Sequence, residues 1–359
     1  MDDLAPQALA TATALPARYY VHASMPAIDR SMVFDRSWQF IAHACQLRDA
    51  GDHVIANLAG LPVIAVRGTD EVIRVFHNVC RHRAGPIAQC DGLAAKSLRC
   101  RYHGWNYGLD GVLKSAPEMQ DALDFEPSSI HLPQLAVKLW QGLVFAAVDE
   151  AQAPDFDAFV AGIDARLGTD RGLEHYSRHH RVGYDIACNW KVYVDNFLEG
   201  YHVPHVHPGL NRLLDYRSYR TELMQWHNLQ WSPLESEASL YGNGDALYYW
   251  LWPNTMLNIL PGRLQTNRVI PLGVDRCRVE FDSYYATSDD EAADARRNAD
   301  LEFSDEVQHE DLGICEDVQR GFASGSYVPG RLNPLRESGV HHFHEMLRAA
   351  YREAGPNAV

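Results

Sequence analysis

No run of about 18 apolar residues interrupts this 359-residue chain, so no bilayer-spanning helix is expected. Basic residues are scarce: 32 Lys and Arg stand against 47 Asp and Glu, a formal net charge of −15. That balance argues against nucleic acid or an anionic membrane as a bulk partner. The opening stretch, MDDLAPQALATATALPARYY, has no basic segment ahead of an apolar core, so no secretory leader is expected. Cysteine is sparse and odd in number, seven residues at positions 45, 80, 90, 100, 188, 277 and 315. Such scatter excludes a disulfide framework and fits a reducing cytoplasm. There is no internal repeat, and no GxGxxG fingerprint follows a strand-like run, so dinucleotide binding is not expected within the chain.

What is present reads as two globular domains. Residues 38–155 are short β-prone runs between turns: His53–Asn57, Pro62–Arg67 and Val72–Phe76, with Gly51, Gly60 and Gly68 as punctuation. Leu139–Val148 reads as the closing strand, and the polar stretch Asp149–Asp155 as a boundary. Residues 156–359 form the second domain, with a short helix at 156–168, strands over 245–285 and a helix over 289–322 that opens on Asp289–Glu291. Residues 1–37 are assigned to the second domain as an N-terminal segment. The expected fold class is α+β, an all-β module inserted beside a helix-and-sheet domain.

Two short motifs carry the chemistry of the first domain. Cys80-Arg81-His82 and Cys100-Arg101-Tyr102-His103 follow the pattern C-x-H-x17-C-x2-H. Two thiolates and two imidazoles on paired loops suit a structural zinc or a [2Fe–2S] cluster. A Rieske cluster takes two Cys on one iron and two neutral His on the other, and each loop here offers one of each. The flanks Asn78–Gly85 and Cys100–Trp105 resemble the Rieske motif of ring-hydroxylating oxygenases. Cys90 and His77 fit no ligand spacing.

In the second domain the informative segment is Asn189–His207. On one helix Asp195, Glu199 and His202 would share a face. His202 and His207, five apart, would point roughly 140° away from each other on an intact helix. Pro204 disfavours helix at the residue before it, so a break near Val203 would let both imidazoles reach one metal. Two His and a carboxylate on one face leave positions open for O2 on a non-haem iron. The candidate carboxylate is Asp311, on an apolar stripe of Val307, Ile314, Cys315, Val318 and Phe322. A carboxylate turned into a core is costly unless paired or bound to a cation. Glu310 and Asp317 fall off the stripe and read as solvated. His205 is a rival ligand.

At this point the residues resemble a known family over essentially the whole chain: the α-subunit of Rieske non-haem iron oxygenases. Asp195–His207, Glu310–Gly321 and Gly339–His344 look most like the choline monooxygenase-like, quaternary-ammonium-oxidising members. The resemblance implies a Rieske β-domain holding [2Fe–2S] through Cys80, His82, Cys100 and His103. It implies a helix-grip (START-like) catalytic domain with an antiparallel sheet, and iron held by His202, His207 and Asp311. It implies a homotrimer in which the cluster of one subunit feeds the iron of its neighbour, through a carboxylate at the position of Glu199. It also implies O2 as co-substrate and electrons from NAD(P)H through a separate flavin and iron–sulfur reductase.

The expected reaction is hydroxylation of a small quaternary ammonium compound, by N-demethylation or alcohol oxidation. An aromatic-ring mono- or dioxygenase with the same metals is the alternative. A Rieske-type electron carrier or a zinc-binding module would be a different class altogether. Tyr248, Tyr249, Trp250, Trp252, Trp226, Trp231 and Tyr241 offer aromatic faces for an ammonium group. Alternating aromatics on a strand also commonly pack a core.

Overall fold

The computed structural model describes residues 3–168, 172–234, 240–288, 290 and 292–355. Asp289 and Glu291 of the acidic run lie outside the described residues. The chain divides into two compact units. The first comprises Asp35–Ala153 with Gly172–His175, the second Met1–Phe34, Pro154–Arg171 and Tyr176–Val359.

The first unit is all-β. Its strands are β1 (Gln39–His43), β2 (His53–Leu58), β3 (Leu61–Arg67), β4 (Ile73–His77), β5 (Leu98–Arg99), β6 (Asn106–Tyr107), β7 (Leu113–Ser115), β8 (Gln134–Trp140) and β9 (Leu143–Ala147). Six of them form one sheet in the order β1-β9-β8-β4-β3-β2, and β5-β6-β7 form a second. The run Leu139–Val148 is therefore not one strand. Gln141 and Gly142 take φ of 50° and 76°, two consecutive left-handed residues that make the tight turn joining β8 to β9. The apolar residues alternate to fill two cores. One holds Ile41, Val54, Val63, Val75 and Val144. The other, under the cluster loops, holds Ile64, Phe76, Cys80, Cys100, Trp105 and Tyr107.

The second unit is built on a seven-stranded antiparallel sheet, ordered β10-β16-β15-β14-β13-β12-β11. The strands are β10 (Ser177–Ile186), β11 (Arg220–Leu223), β12 (His227–Leu234), β13 (Gly244–Leu251), β14 (Thr255–Leu260), β15 (Arg263–Pro271) and β16 (Cys277–Tyr285). Helices α1 (Trp190–Phe197), α2 (Val203–Val206), α3 (Pro208–Leu213), α4 (Ala293–Ala323) and α5 (Ser338–Ala354) complete the part that bears on the site. The short helix read at 156–168 is two, Phe156–Phe159 capped by Asp155 and Ile163–Leu167, parted by Gly162 at φ 82°. Among the described residues no helix is long and apolar enough to cross a membrane.

Two helical expectations are corrected. Helix α1 ends at Phe197, before Glu199 and His202, so Asp195 does not share a helical face with them. Pro204 does not end that helix; it lies in the first turn of α2, where its missing N–H is no loss. The stripe on α4 is also not the expected one. Ile314 and Val318 are 37% and 40% exposed, and the buried face carries Asp300, Gln308, Cys315 and Gln319. That face is polar because its groups meet partners across the domain: Asp300 pairs with Arg263, Gln308 accepts from the Tyr193 hydroxyl and Gln319 from the Asn189 N–H.

Candidate functional site

The two cluster motifs adopt matching turns. Cys80 N–H donates to the Gly85 carbonyl and Ala84 N–H to that of Cys80; Cys100 N–H donates to Trp105 and Gly104 N–H to Cys100. Both loops thus present a buried cysteine and, two or three residues on, a histidine nearer the surface. The two imidazoles lie 4.6 Å apart, and His82 stacks on Trp105 at 4.8 Å. Gly85 is required by this approach: a Cβ there would meet Cys100 Sγ at 3.0 Å and Tyr102 Cβ at 3.2 Å. Tyr107 lies with its hydroxyl 3.2 Å from Cys80 Sγ. Burial and the neighbouring Cys80 hold the Cys100 thiol above its ordinary pKa, so a cation is needed to stabilise two thiolates side by side. His82 Nδ1 is buried without a partner, as an imidazole awaiting a ligand would be. Arg81, Arg83, Arg99 and Arg101 surround the loops and are all exposed.

The second unit brings His202, His207 and Asp311 together. His202 Nε2 lies 3.1 Å from His207 Nε2, and Asp311 Oδ1 lies 3.0 Å from His207 Nε2 and 3.8 Å from His202 Nε2. Three donors on one octahedral face, each about 2.1 Å from a metal, would sit about 3 Å apart, so these residues fit an iron of the facial-triad type. Two chain reversals produce this. The turn between α1 and α2 places His202, α2 carries the chain round to His207, and α4 brings Asp311 across from the far end of the domain. His205 is exposed and outside the group.

Each histidine presents its other nitrogen to a carboxylate. Glu199 Oε1 lies 2.6 Å from His202 Nδ1, and Glu310 Oε2 lies 2.7 Å from His207 Nδ1. Such a partner fixes the Nδ1–H tautomer and leaves Nε2 free for a metal. Burial alone would depress the His207 pKa, but Asp311 and Glu310 together hold it above the ordinary value. The reading of Glu310 as solvated is thus overturned: it sits on α4 beside Asp311, close enough to His207 to accept from it. Asn196 Nδ2 donates to Asp311 Oδ1 at 2.7 Å and orients that carboxylate. No periodicity marked Asn196 or Glu310. The pair Glu310-Asp311 on one helix was the only available signal. Asp195 is turned away, accepting from Tyr20 Oη at 2.6 Å and lying 2.9 Å from His344 Nε2.

A cavity opens beside the triad, with His202, His207 and Asp311 in its wall. Tyr219, Tyr241, Tyr248, Phe197, Phe281 and Phe303 line it. Of the aromatics expected from sequence, only Tyr241 and Tyr248 do so. Trp250 and Trp252 pack on Phe343 of α5, and Trp231 faces Arg166 and Arg220. Tyr219 and Phe303 were missed because each stands alone in sequence.

Two family models match the chain: the Rieske [2Fe-2S] domain over residues 37–136 and the ring hydroxylating alpha subunit (catalytic domain) over 173–353. A choline monooxygenase of Arabidopsis thaliana is 34% identical over 94% of this chain and 83% of its own. The chain belongs to the Rieske non-haem iron oxygenases. Another relative is the oxygenase subunit of carnitine monooxygenase from Escherichia coli K12, 29% identical and covering 94% of each chain. Among solved structures, a quaternary ammonium Rieske monooxygenase superposes with a TM-score of 0.87 at 25% identity, covering 95% of this chain and 96% of that one. That structure was described for its inter-subunit electron transfer. As a member of this family, the oxygenase is an oxidoreductase with two metal centres, a [2Fe–2S] cluster and a mononuclear iron.

Proposed function

We propose that this oxygenase hydroxylates a small quaternary ammonium compound, at an N-methyl carbon or at an alcohol carbon. The observation that carries this reading is the aromatic lining of the cavity: Tyr219, Tyr241, Tyr248, Phe197, Phe281 and Phe303. Among the described lining residues Arg263 alone carries a permanent positive charge, and it is paired with buried Asp300 at 2.7 Å. Aromatic faces with no free cation among them favour an ammonium group.

In this reading Cys80, His82, Cys100 and His103 hold the cluster, and His202, His207 and Asp311 hold the iron. When bound, the cluster supplies electrons one at a time and the iron supplies O2 chemistry. The residues of the chain do the rest. Glu199 and Glu310 hold the two imidazoles in one tautomer, Asn196 holds Asp311, and the tyrosines seat the ammonium group. Overall, a C–H bond, O2, two electrons and two protons give an alcohol and water. On an N-methyl group that alcohol is a carbinolamine, which releases formaldehyde.

Glu199 is proposed to join the iron-site His202 of one subunit to a cluster histidine of the next, in a homotrimer. The arginines ringing the cluster loops suit a neighbour whose iron site is edged by carboxylates. Electrons are proposed to come from NAD(P)H through a separate reductase. None of the seven cysteines is in a disulfide, which fits a reducing cytoplasm. The test is oxidation of a panel of quaternary ammonium and aromatic compounds by reduced holoenzyme. Formaldehyde or aldehyde from an ammonium compound, in proportion to O2 consumed, is expected. A cis-diol or phenol from the aromatics, with none from the ammonium compounds, would overturn the reading.

A further inference from the structure

The sheet side of the cavity carries polar residues beside its tyrosines, and the proposed chemistry at the metal leaves them unused. Strand register places Gln230, Tyr248, Asn258, Gln265 and Ser283 in one row across β12, β13, β14, β15 and β16. Residues directly opposite in antiparallel strands share a face, so this row is a polar belt on the cavity side of the sheet. Part of it is held rigidly. Asn258 Nδ2 donates to Gln265 Oε1 at 3.2 Å, and Gln265 Nε2 donates to Ser304 Oγ on α4 at 2.8 Å. With its amide so oriented, Asn258 leaves Oδ1 buried and without a donor. Gln308, 3% exposed, is held by the Tyr193 hydroxyl at 2.8 Å and leaves Nε2 without an acceptor. Both residues line the cavity.

Buried polar groups left unpaired are expensive, and a site built around them selects the ligand that completes them. The orphaned pair is one acceptor and one donor. A quaternary ammonium has no N–H to offer, so the missing group lies elsewhere on the substrate. A hydroxyl both donates and accepts, whereas a carboxylate only accepts and would face an amide oxygen, Glu199 and Asp311. Arg263, the one guanidinium among the described lining residues, already serves Asp300, which also accepts from Tyr241 and Tyr285.

We propose that Asn258 Oδ1 accepts a hydrogen bond from a substrate hydroxyl, so that this oxygenase takes an ammonium alcohol without a carboxylate in preference to carboxylated ammonium compounds. The inference rests on the quaternary-ammonium reading above and narrows it.

The test is anaerobic equilibrium binding to full-length holoenzyme with choline, n-propyltrimethylammonium, carnitine and γ-butyrobetaine as probes. The propyl compound matches choline in shape and lacks only the hydroxyl. Wild type should bind choline about tenfold tighter than the propyl isostere, and carnitine more weakly than choline. Asn258→Ala should bring the first ratio to within about twofold while hardly changing affinity for the isostere. Asn258→Asp, which keeps an acceptor, should retain the preference and guards against a merely structural loss in the alanine variant. A wild-type ratio near one, a preference that survives Asn258→Ala, or tighter binding of carnitine would overturn the proposal. If ammonium probes bind and are oxidised without that preference, only this inference falls. If none binds, the quaternary-ammonium reading falls with it.

Discussion

The two metal sites are built in opposite ways. The cluster site is local: two loops of six residues, Cys80–Gly85 and Cys100–Trp105, each supplying one Cys and one His. The triad is assembled from residues 202, 207 and 311, and its supporting groups Asn196, Glu199 and Glu310 come from the same scattered segments. The histidines of the cluster loops face outward among exposed arginines, while His207 is 1% exposed behind a cavity. The difference is functional. A cluster that must exchange electrons with other proteins belongs at a surface. An iron that handles O2 and an apolar-walled substrate belongs in an enclosed cavity, where outer carboxylates orient its ligands.

The sharpest way to break this contrast is to remove one ligand from each site. Asp311→Ala should lose the mononuclear iron and lower turnover by more than about a hundredfold, beyond what outer partners contribute. Its visible cluster spectrum should be unchanged. Cys100→Ser should do the reverse, losing the cluster absorbance while iron still binds at the triad. Loss of both metals from either variant, by metal analysis, would show that the sites are not independent.

The two outer carboxylates offer a finer comparison. Glu310→Gln should weaken iron binding by about ten- to a hundredfold, restored in part by added Fe(II), because Glu310 supports only His207. Glu199→Gln should weaken iron binding by a similar factor through His202, yet stay about a hundredfold or more slower in turnover after iron is restored. Indistinguishable variants would erase the separate roles. Smaller still, Tyr107→Phe removes the one hydroxyl beside Cys80 Sγ and should lower the cluster reduction potential, since hydrogen bonds to cluster sulfur raise it. An unchanged redox titration would count against that contact.

The weakest expected effect is on acid stability. His227 is fully buried in the catalytic unit, and burial holds its pKa down to about 4. Below about pH 6.5 the unfolded chain takes up a proton that the folded one refuses, so stability is present at neutral pH and lost as pH falls toward 4. Urea midpoints should show a loss of about 2 kcal/mol from this group between pH 7 and pH 5. A His227→Gln variant should have a correspondingly shallower pH dependence; an identical slope would discount the buried histidine.

The same contrast explains what was legible in the sequence. Cys80, His82, Cys100 and His103 sit in contiguous motifs, and a spacing pattern is enough to find them. His202, His207 and Asp311 could be inferred from residue types. Of their supports, Glu199 follows from the resemblance alone and nothing marks Asn196, while Glu310 reads as solvated because the long helix reads as burying an apolar stripe. It turns Gln308 and Asp311 toward the cavity instead, buries Asp300 against Arg263, and leaves Ile314 and Val318 exposed. Helical periodicity locates a buried face only when that face is apolar. The aromatic wall failed for a related reason: Trp250 and Trp252 alternate conspicuously on a strand yet pack on α5, while Tyr219 and Phe303 reach the cavity from isolated positions. The turn at Gln141-Gly142 was hidden inside a run whose apolar residues belong to two strands.

The central claim is that one reaction uses the cluster of one chain and the iron of another, joined at Glu199. Co-expressing two differently tagged variants, Cys100→Ser without a cluster and Asp311→Ala without iron, and purifying through both tags gives oligomers that contain each. The account predicts turnover in these mixed oligomers, although each variant alone is inactive, and predicts that Glu199→Gln on the Cys100→Ser chain abolishes it. Mixed oligomers with the full cluster and iron content of their intact sites but no turnover would contradict it.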